Sequence, residues 1–104
     1  MKQAHSKAPW RVHPVDDCMV IDADGREVAA VDGDYNHPDT WPVMEANVRL
    51  IAAAPEMLPA LETLLAKYIE LVGAVTRYGP ENAELIPEVI ASRAAIAKAT
   101  GAAP

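Results

Sequence analysis

Apolar and polar positions alternate near the start of the chain and shift to helical spacing further on. In Pro9-Trp10-Arg11-Val12-His13, Trp10 and Val12 point one way and Arg11 and His13 the other, which is the two-residue period of a strand. Pro14 ends that strand or keeps it at a sheet edge. Residues 18–23 and 26–31 are two apolar runs separated by Asp24-Gly25. Asp-Gly between apolar runs predicts a hairpin, because both residues accept the positive φ of a two-residue type I′ turn. Such a loop sets Ile21 opposite Val28 and Met19 opposite Ala30, giving the hairpin one apolar face. It also sets Asp22 opposite Glu27, an unfavourable pair unless solvated.

Residues 32–39 read as a polar loop. Thr40 is placed to cap a helix that opens at Trp41-Pro42, since proline fits a first turn. That helix should run to Ala54 and stop before Pro55, with Val43, Ala46 or Asn47, Leu50 and Ala54 on one face. A second helix should open at Pro55-Glu56-Met57-Leu58, its first turn kinked by Pro59. Leu58, Leu61, Leu65, Tyr68, Val72 and Val75 follow alternating three- and four-residue steps, a coiled-coil-like seam. Met57, Leu64 and Leu71 repeat every seven residues beside it, and Ile69 widens it further. Arg77-Tyr78-Gly79-Pro80 is a helix stop. A final helix is expected from Pro87 to Thr100 with Gly101 as cap, its apolar side formed by Val89, Ile90, Ala94 and Ala97.

These elements predict an α+β fold: a small N-terminal antiparallel sheet of two or three strands, followed by a C-terminal antiparallel helical hairpin. Residues 1–8 are expected to be a flexible arm and 9–104 a single domain, with the hairpin or meander and its loop in 9–39 and the helices in 40–104. The second helix carries more apolar surface than one short helix and a small sheet can cover. Self-association as a homo-oligomer through Leu58, Leu61, Leu65, Tyr68, Val72 and Val75 is therefore expected.

Composition narrows the function classes. The chain has 104 residues, a net charge of −6, and 51% hydrophobic residues, but about a fifth of it is alanine and it lacks Phe. At this length only about 60–65% of the surface is buried on folding, so a lone copy has a thin core. The acidic balance argues against duplex nucleic acid. No apolar run approaches the roughly 20 residues that span a bilayer, and no signal peptide is expected in the polar opening residues. Cys18 is the single cysteine, so a reducing compartment, the cytoplasm, is expected.

Chemistry-bearing motifs are sparse. Asp22-x-Asp24-Gly25 has the alternating acids of a calcium loop but lacks a third ligand in register and a later Glu; a hairpin turn explains it better. His5, His13, His37 and Cys18 show no zinc-ligand spacing. Cys18 with His13 or His37 could in principle form a nucleophile and base, yet Cys18 sits in an apolar strand pattern where a buried thiol is the usual reading. There is no nucleophile elbow, phosphate loop or dinucleotide fingerprint. We therefore expect no enzyme, no metal and no cofactor. The best ligand candidates surround the start of the first helix: Tyr35, His37 and Trp41 with a helix N-terminus that favours anions, together with Asn47, Arg49 and Arg26. Stacking plus a charge-assisted phosphate contact would suit a nucleotide. Alternatively Arg49 simply pairs with Glu45, one turn earlier.

The run Asn47-Val48-Arg49-Leu50-Ile51-Ala52-Ala53-Ala54-Pro55-Glu56-Met57-Leu58 resembles a helix–Pro–helix junction shared by small proteins of phages and prophages. The resemblance extends over roughly residues 9–65, taking in the Trp-containing strand and the Asp-Gly hairpin. The layout also looks like that of Thoeris anti-defence sponge proteins, oligomers that sequester cyclic nucleotide immune signals. This resemblance implies a phage-encoded protein in the cytoplasm of an infected bacterium, holding a cyclic nucleotide at an oligomer interface without catalysis, with Asn47 and Arg49 carried over as ligand residues. With Phe absent, Tyr35, His37 or Trp41 would stack on the base. Two other readings remain: an acidic inhibitor that binds a bacterial defence complex through residues 16–39, and a structural or assembly accessory of a phage whose helical seam is its whole function.

Overall fold

A computed structural model describes residues 4–32, 37–75 and 80–102. Three short strands, β1 (Arg11–Val12), β2 (Met19–Ile21) and β3 (Glu27–Ala30), form an antiparallel sheet in the order β1-β2-β3. Two helices follow, α1 (Trp41–Val75) and α2 (Pro87–Thr100), with a 3₁₀ segment, Pro80–Leu85, ahead of α2. The fold is α+β. The chain divides into two compact units, Met1–Glu56 and Met57–Pro104.

The hairpin differs from the expected one in loop and register. The N–H of Asp22 donates to the Arg26 carbonyl at 2.9 Å, and the N–H of Gly25 to the Asp22 carbonyl at 3.1 Å. Gly25 has φ +83°, and no non-glycine residue among those described has positive φ. The loop is thus three residues, a turn closed by a left-handed glycine, and not a two-residue type I′ turn, which needs positive φ at both central positions. The longer loop moves the register. Met19 still faces Ala30 and Val20 faces Ala29 in the same register, but Ile21 faces Glu27, with an irregularity between Val20 and Ile21. Val28 is the extra residue of that bulge and is not opposite Ile21. Asp22 consequently escapes the Glu27 pairing. A bulge turns neighbouring side chains toward one face, and Val28 joins Val12, Cys18 and Val31 around fully buried Val20.

The helix starts at Trp41 as expected, and the Thr40 carbonyl accepts the Met44 N–H at 3.0 Å, the first helical bond. The expected stop at Pro55 does not occur. α1 runs 35 residues through Pro55 and Pro59. Each proline lacks an N–H, so the carbonyls of Ile51 and Pro55 lose their intrahelical donors; the surrounding Ala, Glu, Met and Leu are strong helix formers that carry the chain across. Gly79, the expected stop, lies outside the described residues, as does Arg77-Tyr78.

The apolar face of the first half of α1 is also offset from the expected one. Met44 and Val48 are 1% exposed and form the core with Val20, flanked by Trp10, Trp41, Ile51 and Ala52. Val43 and Leu50, the expected face, are 58% and 61% exposed. In the second unit Leu65 is buried, and Leu58, Leu61, Ile69 and Val72 are half-buried. α2 has the expected bounds. Pro87 opens it, Gly101 closes it in the left-handed conformation at φ 73°, and the N–H groups of Gly101 and Ala102 both reach the Ala97 carbonyl. Its buried side is Val89, with Ser92, Ile96 and Ala97 half-buried, whereas Ile90 and Ala94 are exposed.

Candidate functional site

The described residues proposed for a ligand belong to the hairpin turn and to the start of α1. Tyr35 lies outside the described residues. Trp41 is half-buried against the Val20–Met44–Val48 core. His37 is exposed and serves the start of α1: its carbonyl accepts the N–H groups of Thr40 and Trp41 at 3.2 Å, and its Nδ1 accepts the Asp39 N–H at 3.4 Å. Asn47 is exposed on α1, and Arg26 is exposed beyond the hairpin turn. Arg49 lines a concavity of about 180 Å³ together with Val12, Asp17, Glu45 and Val48. Glu45 and Arg49 share that hollow without forming an ion pair, since the pairs among the described residues are Lys67–Glu70 and Arg93–Glu84. Two carboxylates beside one guanidinium leave the hollow net negative. A phosphate there would need further cations.

The Cys18–His13 region is a pair of turn caps. His13 Nδ1 accepts the N–H groups of Val15 at 3.1 Å and Asp16 at 3.0 Å, so its ring proton sits on Nε2 when neutral. Asp16 Oδ1 accepts the Cys18 N–H at 3.3 Å and the Cys18 thiol at 2.8 Å. Among the described residues no three His, Cys, Asp or Glu side chains gather as metal ligands, and no helix is long and apolar enough to cross a membrane.

The second unit carries the most distinctive surface. Met57, Leu64 and Leu71, the seven-residue repeat, are 52%, 67% and 61% exposed, and Tyr68 and Val75 of the expected seam are 40% and 73% exposed. At 100° per residue all five fall on one strip of α1. Beside the strip, Leu61, Leu64, Leu65 and Tyr68 of α1 and Glu88, Val89 and Ser92 of α2 line an apolar groove of about 270 Å³. A smaller hollow between α1 and α2 is lined by Glu62, Ile69, Arg93 and Ile96. The helical periodicity points to the α1 wall of the groove. The α2 wall was not legible, because local spacing says nothing about which turn of α2 sits beside Leu65.

The fold defines a small α+β protein. Residues 1–103 match the family described as Salmonella phage P22 protein Y8K6, and the chain belongs to that family. No curated protein matches the chain. No solved structure matches it either.

Proposed function

We propose that this phage protein acts by binding, without catalysis, and does so as a homo-oligomer. The observation that carries the reading is the exposed strip Met57–Leu64–Tyr68–Leu71–Val75 on one face of α1. Scattered exposed apolar residues are ordinary, whereas a contiguous strip marks an association surface. In its finer form the protein is an anti-defence sponge in the cytoplasm of the infected cell, sequestering a cyclic nucleotide signal. The junction that resembles phage proteins and exposed Arg49 support that form. The negative balance around Arg49 means that cations from more than one copy must act together on the ligand.

Native mass spectrometry of the full chain, alone and with cyclic di- and trinucleotides and cyclic ADP-ribose isomers, tests both levels. Ligand-sized mass steps on a defined oligomer, lost in Arg49→Ala, are expected for a sponge. An oligomer indifferent to every nucleotide overturns the sponge but keeps the binding protein. A monomer at micromolar concentration overturns the oligomer itself.

A further inference from the structure

We infer that the occupant of the α1 strip is the same strip of a second copy, the two helices running parallel, each copy laying Leu64 into the groove of the other. This rests on the reading that the protein self-associates, and adds that the strip meets its own copy and in what orientation.

Three observations carry it. The first is spacing. Met57, Leu64 and Leu71 repeat every seven residues and are all exposed. A strict heptad strip is what two helices of equal period need to keep one seam in register. By contrast, Leu65 is buried and Leu58, Leu61, Ile69 and Val72 are half-buried on the neighbouring face of α1, so the exposed strip is surplus to the internal packing.

The second is area. From their exposures, Met57, Leu64, Tyr68, Leu71 and Val75 together present roughly 600 Å² of surface, three quarters of the about 800 Å² each partner contributes to a stable interface. The half-buried groove walls Leu61 and Ser92 lie beside the strip and extend it. A lone short peptide would leave much of the strip wet, whereas a second α1 covers its full length.

The third is charge. Lys67 lies on the flank of the strip away from the groove, and Glu88 lies on the groove flank, at the level of Leu61 to Tyr68. Both side chains reach solvent, and Lys67 is held only by a 3.5 Å contact with Glu70, with both partners more than 70% exposed. In a parallel pair opposite flanks meet, which sets Lys67 of each copy toward the other copy's Glu88. An antiparallel pair sets like flanks together and brings the two Glu88 carboxylates toward each other.

The test uses the full chain. Sedimentation should show a dimer, or a multiple of it, for the unaltered protein. Leu64→Glu, on an exposed position, should keep the far-UV circular dichroism and weaken association roughly 100-fold, because a carboxylate must be buried in the pair. Lys67→Glu and Glu88→Lys should each weaken it, and the double exchange should restore it. In a Cys18→Ser background, Leu71→Cys should oxidise to a covalent dimer with itself. An unaltered protein that is monomeric overturns the self-association reading as a whole. An oligomer that ignores Leu64→Glu overturns the strip while leaving that reading standing. Leu71→Cys that cross-links only when mixed with Met57→Cys overturns the parallel orientation.

Discussion

Asp22 and Arg26 are joined by two hydrogen bonds of 2.9 Å, the Asp22 N–H donating to the Arg26 carbonyl and the Asp22 carboxylate accepting the Arg26 N–H. The same carboxylate oxygen accepts the Asp24 N–H at 2.9 Å. The turn has drawn the Asp22 carbonyl onto Gly25, so the Arg26 N–H would otherwise have no acceptor, and Asp22 is only 5% exposed. Asp22→Ala should therefore cost about 1–3 kcal/mol, the penalty for stranded donors in a half-buried turn. Asp22→Asn, which keeps an acceptor oxygen, should cost less. Denaturant midpoints of the two variants decide it, and equal losses would refute the role of the oxygen.

Gly25 tests the same turn from the backbone side. A Cβ there would meet nothing within 4 Å, so crowding cannot contribute. The cost of Gly25→Ala should be the left-handed conformation alone, about 1 kcal/mol, with Gly25→Asn smaller because Asn tolerates that region. Thermal melts of the two variants provide the comparison.

The two prolines inside α1 should be a net burden. Each forfeits a helical bond at a cost of about 3 kcal/mol, offset by under about 1 kcal/mol from a stiffer unfolded chain. Pro55→Ala and Pro59→Ala should each raise the melting temperature while leaving the helical signal intact or stronger. A fall in either would mean that the proline ring contributes packing that outweighs the missing bond.

Met44 and Leu50 distinguish the core face of α1 from its exposed face. Met44→Ala, at a 1% exposed position, should cost about 2–4 kcal/mol. Leu50→Ala, at 61% exposure, should change the stability of the isolated chain by about 0.5 kcal/mol or less. Reversal of that order in chemical denaturation would reject the assigned core.

The Arg93–Glu84 pair makes a pH prediction of modest size. The Arg93 hydrogen bonds hold the Glu84 carboxyl below its ordinary 4.5, and the Glu84 hydrogen bonds hold the guanidinium above its ordinary value. A depressed carboxyl pKa contributes stability above the unfolded value, lost as pH falls through the folded one. The raised guanidinium contributes below its own unfolded value, across the whole working range. The advantage of the unaltered protein over Glu84→Gln should thus be present at neutral pH and be lost in acid, as pH falls below the ordinary 4.5 and through the lowered folded value. Because both side chains are exposed, it should be small and shrink in high salt.

Local rules were enough for elements whose signals are local. Trp41 opens α1 because a proline at the second position suits only a first turn, and Pro87 and Gly101 bound α2 for matching reasons. A turn at Gly25 was legible for the same cause, since positive φ suits glycine. Loop length was not, because it depends on the Asp22 carboxylate reaching back to Arg26, a contact no spacing rule encodes. The stop at Pro55 was over-read: the local penalty of a proline is fixed, but whether it ends a helix depends on the packing on either side.

The candidate surface divides the same way. The sequence determined by itself the interleaved helical spacings Leu58–Leu65–Val72 and Met57–Leu64–Leu71, whereas in the first half of α1 its spacing points to Val43–Leu50 and the covered stripe is Trp41–Met44–Val48. It also determined the acidic balance, the single thiol and the position of Arg49. Periodicity alone cannot say which of two equally regular stripes is covered, since both have the same hydrophobic driving force. Tertiary structure made that choice by setting Val20 against Met44 and Val48 in one unit and Val89 beside Leu65 in the other. The stripe left over in each case is exposed because a sheet of three short strands and a 14-residue α2 have only so much apolar surface to cover it with.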